Sequence, residues 1–152
     1  MAAYFFDSSA LVKRYVRERG TEWVRSIIDP DAGNEIYIAR ITGAEVVAAM
    51  ARRGRSGELE GLDRAVKQFK LEFERLYRVI EITPDVVLRA MELALKHRLR
   101  GYDAVQLAAA LEIEITRREM LMEGITLVSS GIELNEAAVK EGIKVEDPNL
   151  LA

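Results

Sequence analysis

With 152 residues, 49% of them hydrophobic and 31% charged, the chain is long enough to bury a core and is neither disordered nor fibrous. It has no cysteine, which excludes disulfides, thiol catalysis and a cysteine-based zinc site. A net charge of −3 and a pI of about 5.4 argue against a general nucleic-acid coat, so any nucleic-acid role must rest on local patches.

Residues 2–6 form an aromatic run that ends at Asp7-Ser8-Ser9, which predicts a buried strand followed by a helix cap. A helix is expected over 10–19 with a stop at Gly20, and a second over 21–28, closed by Asp29-Pro30-Asp31 and Gly33. Residues 35–39 alternate as a strand does. Residues 41–53 read as a helix with apolar residues nearly all round, hence deeply packed. Gly54-Arg55-Ser56-Gly57 reads as a turn.

Residues 58–76 then predict a long amphipathic helix with Leu59, Leu62, Val66, Phe69, Phe73 and Leu76 at helical spacing. A strand over 79–82 leads to Thr83-Pro84-Asp85, the cap and first-turn proline of a helix reaching about 99 and stopping at Gly101. A further helix is expected over 102–122, a strand over 125–129, a helix over 133–141 and a last strand over 143–145. Strands alternating with helices predict an α/β layered domain with a mainly parallel sheet, whose ligands collect at the carboxyl ends of the strands.

No linker, repeat or low-complexity tract divides the chain, so residues 1–152 read as one domain. The N-terminus lacks a basic leader, and no stretch approaches the roughly 20 apolar residues that span a bilayer. The expectation is a soluble cytoplasmic protein.

Three acids stand in or beside the most apolar stretches. Asp7 follows Tyr4-Phe5-Phe6, Glu45 is the only charge between Ile41 and Ala51, and Asp103 opens Asp103-Ala104-Val105-Gln106-Leu107-Ala108. A carboxylate beside a core is costly unless it is hydrogen-bonded, paired or bound to a metal. Each has a plain alternative, Asp7 as a helix cap and Asp103 as a first-turn acid favoured by the helix dipole. Together they point to one shared site for a hard divalent cation such as Mg²⁺ or Mn²⁺, which takes oxygen ligands. Such acids repel one another without the cation, which favours protonation of some of them.

Other candidates are weaker. His97, the only histidine, has no nucleophile pattern near it and reads as a surface residue. Phosphate loops of the GxGxxG or GxxxxGKS type are absent from the sequence. The basic runs Arg52-Arg53-Gly54-Arg55 and Lys96-His97-Arg98-Leu99-Arg100 read most simply as helix ends. Trp23 with Ile27 and Ile28 reads as core packing.

The segments around the acids resemble those of the PIN domains, most closely the VapC-type toxin ribonucleases of toxin–antitoxin pairs. The opening Tyr4-Phe5-Phe6-Asp7-Ser8-Ser9-Ala10-Leu11-Val12-Lys13 is similar to the family's first motif, and Ile41-Thr42-Gly43-Ala44-Glu45-Val46 to its second. The stretch Leu99-Arg100-Gly101-Tyr102-Asp103-Ala104-Val105-Gln106-Leu107-Ala108 looks like the third, and Leu127-Val128-Ser129-Ser130-Gly131-Ile132-Glu133-Leu134-Asn135 the fourth. The resemblance covers nearly the whole chain.

It implies a three-layer α/β/α sandwich around a parallel sheet. It also implies a Mg²⁺- or Mn²⁺-dependent endoribonuclease acting on single-stranded RNA, with Asp7, Glu45 and Asp103 as catalytic, metal-binding carboxylates and Ser9 as a polar helper. A homodimer and silencing by a cognate antitoxin are implied as well. Three positions depart from the family pattern. Gly131 stands where a fourth acid is usual, with Glu133 two residues on as an acidic substitute. Gln106 stands where many relatives have histidine, and Gly101 where many have a small hydroxyl residue.

The residues themselves need no side-chain nucleophile for phosphodiester hydrolysis by one or two cations, which when paired sit about 3.5–4 Å apart. The competing expectation is a catalytically weak PIN-like domain that binds RNA or an antitoxin, lacking the fourth ligand at Gly131. A phosphate-receiving signalling domain ranks behind both, because Ser129-Ser130-Gly131 follows the late strand and no lysine does.

Overall fold

Short β-prone runs alternating with amphipathic segments give, in the computed structural model of residues 2–57 and 60–151, five strands interleaved with helices. In chain order they are β1 (Ala3–Phe6), α1 (Ser8–Leu11), α2 (Thr21–Ile28), β2 (Glu35–Ala39), α3 (Thr42–Arg55), α4 (Leu62–Arg75), β3 (Arg78–Ile80), α5 (Pro84–His97), α6 (Gly101–Glu119), β4 (Thr126–Val128), α7 (Ile132–Lys140) and β5 (Lys144–Glu146). The strands form one all-parallel sheet in the order β3-β2-β1-β4-β5.

Side chains alternate across the pleat, and the core divides accordingly. Phe5, Tyr37, Ala39 and Leu127 face one side, with Val86, Ala90 and Leu93 of α5, Leu107 and Ala108 of α6 and Leu134 of α7. Phe6, Ile36, Ile38 and Val128 face the other, with Leu11 of α1, Val24 and Ile28 of α2, Val46 and Met50 of α3 and Phe69 of α4. The result is a three-layer α/β/α sandwich. Each fully buried side chain of this kind contributes about 1.5–3 kcal/mol relative to exposure.

The chain winds from β1 outward through β2 to β3, then crosses back to lay β4 on the opposite side of β1. The strand order therefore reverses between β1 and β4, and a crevice opens at their carboxyl ends, the usual ligand position in such sheets. No helix among the described residues is long and apolar enough to cross a membrane.

Several elements differ from expectation for identifiable reasons. The helix expected over 10–19 starts at Ser8 and gives way after Leu11 to a tight turn over Val12–Arg14, and the Thr21 hydroxyl then takes the Glu18 N–H at 2.9 Å. Helix α3 is not buried all round: Thr42, Val46 and Met50 form one buried stripe, while Ala44, Ala48 and Ala51 face outward, alanine being small enough for either face. It also continues through Gly54 to Arg55. Helix α4 begins only at Leu62, after Gly61 at φ 71°, and Leu59 lies outside the described residues. Helix α5 stops at Arg98, which takes the left-handed conformation at φ 56°, so Gly101 opens the next helix rather than ending this one.

His97 is not a surface residue. Its side chain is 7% exposed and bonds Glu141, the C-cap of α7, at 2.7 Å, as does Lys96, which uses the second basic run to tie the ends of two helices together. Trp23 packs edge-on to Tyr4 at 6.5 Å, as core packing requires.

Candidate active site

Strand β1 ends in the apolar Phe5-Phe6 pair, and the next residue, Asp7, is carried into the crevice at 5% exposure. Its backbone N–H pairs with Val128 of β4 at 3.2 Å, so the carboxylate sits where the strand order reverses. Oδ1 accepts from the Ser9 hydroxyl at 2.7 Å and from the Ala10 N–H at 3.0 Å; Oδ2 accepts from the Ser129 hydroxyl at 2.6 Å. Asp7 is thus also the N-cap of α1, as its plain alternative required. These bonds occupy three of roughly four acceptor positions on a carboxylate, leaving one on Oδ2.

Burial pushes the Asp7 carboxyl up to about 6; the bonds from Ser129, Ser9 and Ala10 oppose the shift, and the charge of Asp103 adds to it. Asp103 lies in the first turn of α6, half-buried. It is likewise pushed up, first by burial and then by Glu133 and Glu45, against the favourable charge of Arg100. Glu45, half-buried near the start of α3, accepts from the Ser8 hydroxyl at 2.7 Å. The three expected acids and Glu133 therefore form one mutually repelling electrostatic group, although Glu133 itself is exposed on α7.

Ser9 bridges the site, donating to Asp7 and accepting from the Ser130 N–H at 3.0 Å. Gly131 caps α7 at φ −81° and ψ 113°, a conformation open to any residue, and its N–H donates to Ser129 Oγ at 3.0 Å. A cleft of about 300 Å³ runs from Ser8, Ser9 and Glu45 to the exposed Arg52. Arg53 of the same basic run is instead paired with Glu18 at 2.7 Å.

The donor set is all oxygen, which suits Mg²⁺ or Mn²⁺. Among the described residues no three acid, histidine or cysteine side chains converge closely enough to hold an ion by themselves, so Asp7, Glu45 and Asp103 are not brought together as one chelating set. An ion here would be held by one or two carboxylates, its other positions taken by water and phosphate oxygens. Gln106 Oε1, Ser130 Oγ and Asn135 Oδ1 are buried without a protein partner. An unmet buried acceptor costs roughly 1–3 kcal/mol, and the waters of a hydrated cation can donate to such atoms. The residues present fit such an ion.

Sequence reasoning located the acids but assigned no role to Ser8 as the donor to Glu45, to Ser129 as the donor to Asp7, or to Tyr102 and Gln106. Ser129 carried a signal, a hydroxyl directly after an apolar strand. The Gln106–Thr42 contact depends on the approach of α3 to α6 and carried none.

The PIN domain model matches residues 4–140. Ribonuclease VapC45 of Mycobacterium tuberculosis is 34% identical over 114 residues, covering 74% of this chain and 78% of the relative. Among solved structures, PAE2754 from Pyrobaculum aerophilum superposes with a TM-score of 0.63 at 19% identity, covering 99% of this chain and 93% of that one. A toxin–antitoxin complex from Klebsiella pneumoniae superposes with a TM-score of 0.62 at 18% identity, covering 95% and 97%.

Proposed function

The chain belongs to the PIN domain family, and from that membership we propose that it is a Mg²⁺- or Mn²⁺-dependent endoribonuclease of the VapC type, cutting single-stranded RNA as the toxin of a toxin–antitoxin pair. The observation that carries the reading is the Asp7 carboxylate, buried where the strand order reverses and within the field of Asp103. The relative's name as a ribonuclease supports the substrate class, and the Klebsiella pneumoniae complex supports an antitoxin partner. The reading places the protein in the cytoplasm.

In this reading Asp7 and Asp103 hold the cation, with Glu45 and Glu133 adding negative charge around it. When bound, the ion lowers the pKa of water and stabilises charge on the leaving oxygen. Ser9 and Ser129 keep Asp7 ionised and fixed in direction by donating to its two oxygens. Water attacks phosphorus, the bond to the leaving ribose oxygen breaks, and a proton passes to that oxygen. Arg52, at the far end of the cleft, is placed to meet a neighbouring phosphate. The homodimer belongs to the same reading, and the outward stripe of Leu88, Met91 and Leu95 on α5, exposed 58%, 63% and 84%, is the apolar surface it would cover.

A second reading has one observation in its favour. Gly131 leaves the fourth-acid position without a side chain, which favours a catalytically weak domain that binds RNA or an antitoxin. End-labelled single-stranded RNA with Mn²⁺ or Mg²⁺, with and without EDTA, separates the two. Cleavage by the natural protein that EDTA stops supports the nuclease; cleavage only by Gly131→Asp supports the second reading.

A further inference from the structure

The cleft of about 300 Å³ that leaves the acids along α3 changes character from one end to the other. Glu45, Ala48 and Arg52 recur at helical spacing on one face of α3, with Ala49 beside them. Glu45 and Arg52 are two turns apart, about 10 Å along the axis. Helical side chains lean toward the N-terminus, so the long Arg52 side chain reaches back over the turn that holds Ala48 and lines the same cleft. Arg52 is exposed, and among the described residues its side chain has no ion-pair or hydrogen-bond partner, whereas Arg53 is held by Glu18 at 2.7 Å. The floor is apolar and small, built from the buried Val12 and the methyl groups of Ala48 and Ala49. At the acid end the hydroxyl protons are already committed. Ser8 gives its proton to Glu45 at 2.7 Å, and Ser9 gives its own to Asp7 at 2.7 Å. A hydroxyl has one proton and two lone pairs, so Ser8 offers the cleft only acceptor capacity, and the Glu45 carboxylate does the same.

We propose that this cleft seats the nucleotide next to the cut, and that Ser8 and Glu45 select ribose there by accepting from its 2′-hydroxyl. The inference rests on the nuclease reading above, which puts the scissile phosphate at the acid end. Side chains that can only accept need a donor, and deoxyribose has none at that carbon. The 2′-hydroxyl is the group by which a protein tells RNA from DNA at a given position. The alanine floor gives the sugar and base an apolar surface without filling the space. Arg52 meets the phosphate beyond them, where a guanidinium can bond two oxygens at once.

The test compares fluorescein-labelled RNA and DNA of one sequence, about 12 nucleotides long. Binding is read by anisotropy with Ca²⁺, which also takes oxygen ligands, and cleavage is followed in parallel with Mn²⁺. The wild type should prefer RNA, and Ser8→Ala should narrow that preference by roughly 2- to 10-fold, the worth of one hydrogen bond. A merely structural role for Ser8 would weaken RNA and DNA alike and leave the ratio where it was. Ala48→Leu fills the floor with a good helix former at an exposed position, so it folds whatever Ser8→Ala does. It should weaken RNA binding by about 10-fold or more while Mn²⁺ affinity and melting temperature hold. Arg52→Gln should reduce the salt dependence of RNA binding by the slope of one phosphate contact, about 0.7. An RNA-to-DNA ratio that Ser8→Ala leaves unchanged overturns the sugar selection, and full RNA binding by Ala48→Leu overturns the cleft as the seat. In both cases a wild type that cuts RNA keeps the nuclease reading. A wild type that prefers RNA through this cleft but cuts none overturns the nuclease reading and leaves the ribonucleotide site. A wild type that neither binds nor cuts RNA overturns both.

Discussion

The Ser129 hydroxyl donates to Asp7 Oδ2 over 2.6 Å, joining the carboxyl ends of β4 and β1 across 122 residues of chain. Ser129 is fully buried, and the same oxygen accepts from the Gly131 N–H, which leaves its proton for the carboxylate. Replacing Ser129 with alanine removes a bond to a charged group and leaves the Gly131 N–H unpaired. The expected cost is about 1.5–3 kcal/mol at pH 7.5, measured by urea unfolding. Mn²⁺ affinity should fall with it, because an Asp7 without this donor is harder to ionise.

Asp7 makes the metal-free protein less stable as pH rises. Burial lifts its carboxyl from 3.8 to about 6, so between those values the folded state holds a proton that the unfolded state has released. Stability contributed at this residue is therefore lost as pH climbs from about 4 to about 6 and is level above, a total of roughly 3 kcal/mol from a shift of about two pH units. Asp7→Asn keeps the cap oxygen, removes the charge and gives up the bond from Ser129 to Oδ2. Relative to the wild type without metal it should therefore be more stable at pH 7.5 than at pH 4.5, by up to roughly 3 kcal/mol, whatever the constant cost of the lost bond. Saturating Mn²⁺ should offset that difference at pH 7.5, because only the aspartate gains from the ion.

Asp103→Asn removes the like charge that helps lift Asp7 and takes away a proposed ligand. Asp103 sits half-buried in a helical first turn, where asparagine is tolerated. Cleavage of end-labelled RNA should drop to background while metal-free melting stays equal or rises. Unchanged cleavage would remove Asp103 from the chemistry.

The buried strand in the Tyr4-Phe5-Phe6 run, the cap at Thr83-Pro84 and the acid in each apolar run were legible before the structure, because period and composition are local. The early end of the first helix was not: the chain tightens into a turn over Val12–Arg14, where neither glycine nor proline marks the change. Nor was the stop at Arg98, which has no local preference for φ 56°. At the site, Asp7 and its cap were readable from four adjacent residues. Ser129 and Gln106 act through partners on other elements, and one sequence does not record such distances.

The α5 stripe gives a prediction about association. Leu88, Met91 and Leu95 recur at helical spacing on the face away from the core residues Val86, Ala90 and Leu93. If two copies bury this stripe, Met91→Glu should convert the dimer to a monomer in light scattering, with the monomer's melting temperature at or below that of the parent. A parent that is monomeric at high concentration removes the stripe from that role.

Gly131 offers the sharpest test of whether the site is built for a cation. A Cβ placed there meets Ser129 Oγ at 3.4 Å and Leu134 Cβ at 3.7 Å, ordinary contacts, and the backbone at φ −81° accepts any residue. Aspartate and asparagine cap the start of α7 about equally well, so the pair differs chiefly by one charge. Without metal at pH 7.5, that charge joins Asp7, Asp103 and Glu133, and Gly131→Asp should melt below Gly131→Asn. With Mn²⁺ the order should reverse, since the added carboxylate then meets a cation. RNA cleavage should rise in the aspartate variant alone. If the two variants keep the same order with and without Mn²⁺, no cation is held beside Gly131.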